Sequence, residues 1–361
     1  GVYKDREGRT PVMRAVREAE TRLFAGQDTK TYLGLAGDTA FNTAMIKLAF
    51  GDKADLSCIR AAQAPGGSGA LRLVAELLQR TRAGATVWLS NPTWPNHMPV
   101  MRAAGLQVRE YPYFDAASGT VRFDEMLAAL RTAASGDVVL LHGCCHNPTG
   151  ANLNASQWAK VADVLVERGL LPFIDIAYQG FGEGLDADAE GLRLVASKVP
   201  EMVVASSCSK NFAVYRDRVG AAMIMARDGA QADVAMSQML SAARAIYSMP
   251  PDHGAAAVRI VLEDAALRAD WEAELEEMRL RMLRLRVAFA DALRRQSNSD
   301  RFDFVASHRG MFSRLGLTEA QVERLRVEHG VYMVGDSRIN VAGLPEDGMD
   351  RLAKAIVSVL D

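Results

Sequence analysis

Lys210 follows Ser206-Ser207-Cys208-Ser209 and precedes Asn211-Phe212, with Arg218 a short step downstream. The run ahead of it, Met202-Val203-Val204-Ala205, is apolar and β-branched, the pattern of a buried strand. A lysine at the end of such a strand is costly unless it has a partner or a chemical task. Partial burial lowers an ammonium pKa, and a neutral amine is a nucleophile toward carbonyls. The hydroxyls of Ser207 and Ser209 and the guanidinium of Arg218 are donors suited to an oxyanion such as phosphate. An aldehyde carrying a phosphate uses all of these groups, and pyridoxal phosphate (PLP) is that molecule. Taken alone, the stretch also fits a surface lysine after a strand, and both readings stand at this point.

Other residues carry weaker signals of the same kind. Pro65-Gly66-Gly67-Ser68-Gly69 opens directly into an amphipathic helical pattern at 70–78. Glycines admit a close anion, and a helix N-terminus favours negative charge. The spacing is neither a Walker A loop nor GxGxxG, and a plain glycine-rich turn fits it too. Trp94 lies between two prolines in Asn91-Pro92-Thr93-Trp94-Pro95-Asn96-His97, as a stacking platform for an aromatic ligand or a cap on the core. His97 alone reads as a structural histidine. Asn147-Pro148 fixes a turn after the strand 137–142, and Asp175 and Tyr178 follow the buried strand 171–174. A carboxylate there needs a cationic or hydrogen-bonding partner, which a protonated pyridine nitrogen supplies. Arg338 sits in an otherwise apolar strand and calls for a carboxylate, such as one on a ligand.

The elements that must position these groups follow from the pattern of the whole chain. Its 361 residues, 49% apolar and 24% charged, fit one large and one smaller globular domain. A net charge of −2 points to neither nucleic acid nor an acidic membrane, and no apolar run reaches membrane-spanning length. The four cysteines, Cys58, Cys144, Cys145 and Cys208, have no CxxC or metal-site spacing and are expected as reduced buried thiols in a cytoplasmic protein. Strands at 86–90, 137–142, 171–174 and 202–205 alternate with helical segments at 122–134 and 155–168, which predicts βαβ units and a mostly parallel sheet. Further helices are expected at 12–25, 230–246 and 254–268. A long helix is expected from Trp271 to Leu293, with the stripe Leu275, Met278, Met282, Leu285, Phe289 and Leu293 facing a core. The remainder reads as a compact α+β unit: strands at 302–305, 311–312, 331–334 and 338–341, helices at 318–328 and 347–360.

Together these segments resemble one family, the class I aspartate/aromatic aminotransferases of PLP fold type I, over nearly the whole chain. The matching segments are Tyr32-Leu33-Gly34, Gly66-Gly67-Ser68-Gly69-Ala70-Leu71, Pro92-Thr93-Trp94-Pro95-Asn96-His97, Cys144-Cys145-His146-Asn147-Pro148-Thr149-Gly150, Asp175-Ile176-Ala177-Tyr178-Gln179-Gly180-Phe181, Ser207-Cys208-Ser209-Lys210-Asn211-Phe212 and Arg338-Ile339-Asn340-Val341-Ala342-Gly343-Leu344. The chain looks closest to the bacterial aromatic (tyrosine) branch, including Ser68 where aspartate-preferring relatives often have threonine.

The resemblance implies an α/β fold, a mostly parallel sheet with helices on both faces, with a large PLP-binding domain at 12–275 and a small α+β domain from 1–11 and 276–361. It implies that Lys210 binds PLP covalently and later shuttles the substrate proton. Asp175 would pair with the pyridine nitrogen, Tyr178 and Asn147 with the ring's phenolic oxygen, and Trp94 would stack on the ring. Gly67, Ser68, Ser207, Ser209 and Arg218 would hold the phosphate, joined by Tyr32 from the other subunit of a homodimer. Arg338 would clamp the substrate α-carboxylate, helped by Asn147, Trp94 and the backbone of Gly1. Arg244 would reach across the dimer to the distal carboxylate of aspartate or glutamate, and His97 and His142 would support Trp94 and Asp175. The implied reaction is ping-pong transfer of an amino group from aspartate or aromatic amino acids to 2-oxoglutarate, with no metal. A lyase or decarboxylase on the same fold is the alternative, and the paired Arg338 and Arg244 argue against it. Family members carry an N-terminal arm ahead of the Gly1-Val2-Tyr3 segment, so a leading segment is expected.

Overall fold

The computed structural model describes residues 1–360. Its centre is a seven-stranded sheet in the order β1 (Ile59–Pro65), β9 (Val219–Met225), β8 (Met202–Ser207), β7 (Leu171–Ile176), β6 (Val138–His142), β2 (Thr86–Asn91) and β3 (Gln107–Pro112). Strands β3, β2, β6, β7 and β8 run parallel, and β9 is antiparallel to both β8 and β1. A two-residue pair, β4 (Phe114–Asp115) with β5 (Thr120–Val121), and a short ribbon, β10 (Phe312–Arg314) with β11 (Arg338–Asn340), complete the strands. The helices are α1 (Arg14–Gly26), α2 (Thr39–Phe50), α3 (Gly66–Thr81), α4 (His97–Ala103), α5 (Phe123–Leu130), α6 (Ala155–Arg168), α7 (Glu190–Ala196), α8 (Gly229–Ile246), α9 (Asp252–Glu263), α10 (Ala265–Ser297), α11 (Phe304–Ser307), α12 (Glu319–His329) and α13 (Met349–Ser358).

Helices cover both faces of the sheet, which is why its inner strands β6, β7, β8 and β9 are near-continuous apolar runs. Successive residues of a strand point to opposite faces. Leu140, Phe173 and Val203 therefore join the core beneath α3 and α8, while Leu141, Ile174 and Val204 join the core on the other face. The predicted stripe on α10 is buried throughout, from Leu275 to Leu293. Helix α6 opens with a capping box in which Asn154 accepts from the backbone of Gln157, and it ends at Gly169 in the left-handed conformation, φ 62°.

Several sequence expectations need correction. Residues 302–305 are not a strand: α11 starts at Phe304, and Phe302 and Val305 point into the core from a turn. Residues 331–334 form no strand either. They lie beyond the left-handed cap Gly330, with Tyr332 and Val334 exposed and no strand beside them to pair with. The expected helices at 254–268 and 271–293 divide instead at Asp264, whose side chain caps the amides of Ala266 and Leu267, so α10 begins six residues earlier. Helix 122–134 is shorter, ending at Leu130. Cys58 is only half-buried; the other three cysteines are buried and all four are free.

Candidate active site

Parallel strands deliver their last residues to one edge of the sheet, where ligands of open α/β folds bind. Here β6 ends in His142, β7 leads into Asp175 and β8 ends in Ser207, side by side, because His142 is registered with Asp175 and Asp175 with Ala205. These ends open into a cavity of about 210 Å³. Twelve of the anticipated residues line it: Gly1, Gly67, Ser68, Trp94, His142, Asn147, Asp175, Tyr178, Ser207, Ser209, Lys210 and Arg218. Arg338 reaches the same place from β11, its Nη1 donating to Asn147 Oδ1 at 3.1 Å. Tyr32 and Arg244 are not brought in; both are exposed on the surface.

Lys210 follows β8 in a turn that continues through Asn211 and Phe212, and Trp271 of α10 locks that turn. The Trp271 ring stacks on Phe212 at 4.3 Å with 4° between planes, and its Nε1 donates to the Asn211 carbonyl at 2.7 Å. Lys210 Nζ lies 5.0 Å from the centre of the Tyr178 ring. Burial lowers its pKa, helped by the nearby charge of Arg218 and opposed by Asp175.

Asp175 is buried and accepts from His97 Nε2 at 2.9 Å. Burial pushes its carboxyl up, but the hydrogen bond from His97 and the nearby charge of Lys210 outweigh it and leave the pKa low. Behind His97 a chain continues: His97 Nδ1 to Thr93 Oγ1 at 2.7 Å, then Thr93 Oγ1 to His142 Nε2 at 3.1 Å. Burial holds His142 neutral, its pKa drawn down to about 3. Trp94 packs edge-on against His97 at 5.3 Å. Asn147 Nδ2 donates to the Tyr178 hydroxyl at 3.4 Å, and burial raises the phenol's pKa.

The far end of the cavity is an anion cradle. The N-terminus of α3 faces Ser207 so closely that a Cβ on Gly67 would stand 2.9 Å from the Ser207 Cβ. A Cβ on Gly66, at φ 73°, would stand 2.4 Å from Arg218 Nη2. Amides, hydroxyls and a guanidinium therefore converge where the two glycines that open α3 leave room for an anion. A lysine with lowered pKa, a buried carboxylate held ionised and a phosphate cradle lie in one cavity. That donor set fits PLP, with the aldehyde, pyridine nitrogen and phosphate each matched to a group.

Sequence reading missed Leu71, Cys144, Ala177 and Tyr215 in the lining. Tyr215 was the findable one, lying between Lys210 and Arg218; its hydroxyl accepts from the Tyr3 amide at 2.9 Å, and burial raises its pKa to about 12. Spacing also hid a cluster of Cys144, Cys145 and Asp188, whose ligand atoms lie within 4.8 Å of one another. The Asp188 carboxylate there already accepts the amides of Gly180, Gly182 and Glu183, each at 2.8 Å.

The chain matches the family model "Aminotransferase class I and II" over residues 1–356. It is 52% identical over 359 residues to an aromatic-amino-acid aminotransferase of Paracoccus denitrificans, covering 99% of this chain and 91% of that protein. It is 49% identical over 363 residues to an aspartate aminotransferase of Escherichia coli (strain K12), covering 100% and 92%. Among solved structures, an aromatic amino acid aminotransferase with 3-indolebutyric acid superposes with a TM-score of 0.98 at 52% identity, covering 100% of this chain and 92% of that one. An aromatic-amino-acid aminotransferase from Burkholderia pseudomallei covalently bound to pyridoxal phosphate gives 0.97 at 44% identity, covering 100% and 91%. The chain is therefore a member of the class I and II aminotransferases.

Proposed function

We propose that this protein is a PLP-dependent aminotransferase that takes the amino group from aspartate and from aromatic amino acids and passes it to 2-oxoglutarate. The observation that carries the reading is the meeting of Lys210, Asp175 and Arg338 around one cavity, from three separate segments. When bound, PLP supplies the electron sink that lets the substrate Cα–H ionise.

The rest is the work of the chain's own residues. Gly67, Ser68, Ser207, Ser209 and Arg218 bind the phosphate. Asp175 would hold a positive charge at the pyridine nitrogen, and the hydrogen bond from His97 keeps that carboxylate ionised. Tyr178 and Asn147 bond the phenolic oxygen, and Trp94 covers one face of the ring. The amine of Lys210 takes the proton from Cα and returns it elsewhere; its lowered pKa leaves it ready to accept. The Arg338 guanidinium meets no carboxylate among the described residues, which leaves its fork for the substrate's α-carboxylate. Gly1 and Trp94 line the same approach.

The same reading makes the protein a homodimer. Tyr32, 91% exposed, and Arg244, exposed near the end of α8, complete the partner's site: Tyr32 at the phosphate, Arg244 at a distal carboxylate. With an aromatic side chain, Arg244 stays in solvent and a planar group fills the space. The division into a domain of 12–275 and one of 1–11 plus 276–361 belongs to this proposal, with α10 crossing it unbroken.

The test is the visible absorption of the purified holoenzyme before and after one amino acid is added without any oxo acid. Loss of the yellow band with both aspartate and phenylalanine is expected, with recovery on adding 2-oxoglutarate. Loss with aspartate alone would remove the aromatic half of the proposal. No change with either would remove the whole.

A further inference from the structure

Arg286, on α10, is the only fully buried arginine among the described residues. Its charge meets no carboxylate. Nη1 donates to the Val305 carbonyl at 3.1 Å and to Ser313 Oγ at 2.7 Å. Nη2 donates to the carbonyls of Gly310 at 2.7 Å and Phe312 at 2.8 Å. Nε has no partner. Burial of a guanidinium without a counter-ion is expensive, and here it draws the pKa down to about 9. An apolar side chain would fill the space without that cost, but would take this donor away from three inward-pointing carbonyls and from the Ser313 hydroxyl. A planar fork satisfies all four at once, so one residue holds the turn 305–313 in a single shape.

That turn carries one side of the carboxylate site and abuts the other. The Phe312 ring lies under the Arg338 guanidinium, 4.8 Å from its carbon, and meets the Tyr178 ring edge-on at 6.1 Å. In the β10–β11 ribbon, Arg314 is registered with Arg338 and Phe312 with Asn340. On the opposite side the Arg309 amide donates to the Gly150 carbonyl at 2.9 Å, and Gly310 packs so tightly on Cys145 that a Cβ there would stand 2.4 Å from the cysteine's own. Cys145 and Gly150 flank the loop that carries Asn147. The two groups that bond each other at the carboxylate site, Arg338 and Asn147, therefore rest on one turn, and that turn is tied to α10 by Arg286.

We propose that Arg286 is a positioning residue for substrate binding: by fixing the turn 305–313 it keeps Arg338 and Asn147 in the relative geometry that grips the α-carboxylate. It touches neither substrate nor cofactor. The proposal rests on the reading of Arg338 as the carboxylate-binding arginine. Fork-to-carboxylate recognition is sensitive to small displacements, so loosening the turn weakens carboxylate binding while leaving the phosphate cradle on the other side of the cavity as it was.

The experiment measures succinate, a non-reacting dicarboxylate, binding to the holoenzyme, together with KM and kcat for aspartate, cofactor affinity and melting temperature. Arg286→Lys keeps the charge but loses the planar fork. Its succinate Kd and aspartate KM are expected to rise at least about tenfold, with kcat and cofactor affinity close to wild type. A lower melting temperature with unchanged Kd and KM would mean that Arg286 is structural only, and would overturn the proposal. If Arg286→Lys does not fold, Ser313→Ala decides, because it removes one of the four acceptors: a several-fold rise in Kd supports the proposal and no change overturns it. Arg338→Ala separates the two layers of the argument. Unchanged succinate binding there would overturn the assignment of Arg338 itself, and this proposal with it. A large loss there beside no loss in Arg286→Lys would overturn only the positioning role.

Discussion

His308 makes acid stability a direct test of the packing around that turn. The residue is buried, 4% exposed, between the rings of Phe304 at 5.0 Å and Phe114 at 6.1 Å. Its Nε2 lies 2.7 Å from the Gly119 carbonyl, so this nitrogen carries the proton and donates. Its Nδ1 lies 3.0 Å from Ser313 Oγ, which accepts from Arg286 and so gives its own proton to the ring. The folded pocket thus holds a neutral imidazole with both nitrogens used. Burial lowers its pKa to about 4, with the charges of Arg286 and Arg309 adding to the effect and the Gly119 bond opposing it. An unfolded histidine titrates near 6.5, so below that pH the unfolded chain takes up a proton that the folded chain refuses. Stability contributed by this residue is therefore complete above about 6.5 and falls as pH falls, until the folded pKa near 4 is reached. Between pH 7 and pH 5 the loss is about 2 kcal/mol. At about 2 cal/mol/K of unfolding entropy per residue, that is roughly 3 °C in melting temperature for a chain of this size. His308→Gln can still donate to Gly119 but cannot titrate. The assay is urea unfolding of wild type and variant at pH 7 and pH 5. The variant is expected to lose about 2 kcal/mol less than wild type on acidification, whatever its stability at pH 7. Equal losses in the two proteins would refute the reasoning.

Four further outcomes are expected. Gly67→Ala forces a methyl against Ser207 and weakens cofactor binding by about 1–3 kcal/mol, read as the Kd for PLP; wild-type affinity would mean the cradle lies elsewhere. Trp271→Ala removes a fully buried ring and the bond to Asn211, and costs about 3–5 kcal/mol in denaturant unfolding, with slower cofactor attachment at Lys210. Asn154→Ala unpicks the capping box of α6 and costs about 1 kcal/mol, with no change in KM. If Arg244 serves the partner's site, then mixing inactive Lys210→Ala subunits with Arg244→Ala subunits restores turnover of aspartate, because each hybrid dimer has one site with both residues; a mixture no more active than its parts speaks against the shared site.

What was legible in the sequence was legible for local reasons. Lys210, Asp175 and Asn147 each follow a short apolar run, and a polar residue at the end of a strand buried on both faces has one place to go, the edge where the strands finish. The stripe on α10 repeats at helical spacing, and every one of its positions is buried. Other elements lacked such a signal. In helix α2 the buried Phe41, Met45, Ile46, Leu48 and Ala49 share one face with the polar Asn42, while the apolar Ala40, Ala44 and Phe50 lie off it, which blurs the stripe. Strand β1, Ile-Arg-Ala-Ala-Gln-Ala-Pro, is alanine-rich and becomes a strand because β9 offers it a full ladder of antiparallel partners. The apolar residues at 302–305 and 331–334 are strand-like in composition, but without a neighbouring edge the backbone groups of a strand go unpaired, and one stretch turned helical while the other stayed irregular.

The chemistry of the cavity was therefore written in residue types at strand ends, which need only chain direction to be placed. Arg286 and His308 show the opposite case. In the sequence Arg286 is one of several arginines along α10, beside Arg279, Arg281 and Arg284, and His308 is a polar residue in a turn. Arg286 stands four residues after Met282 and three before Phe289, on the α10 stripe itself, but nothing in the chain shows what its guanidinium would meet. Each takes its character from acceptors supplied by distant segments, Gly310, Phe312 and Ser313 for the guanidinium and Gly119 for the imidazole. Desolvation and hydrogen bonding depend on what surrounds a group in three dimensions, and only the packed chain decided that for these two.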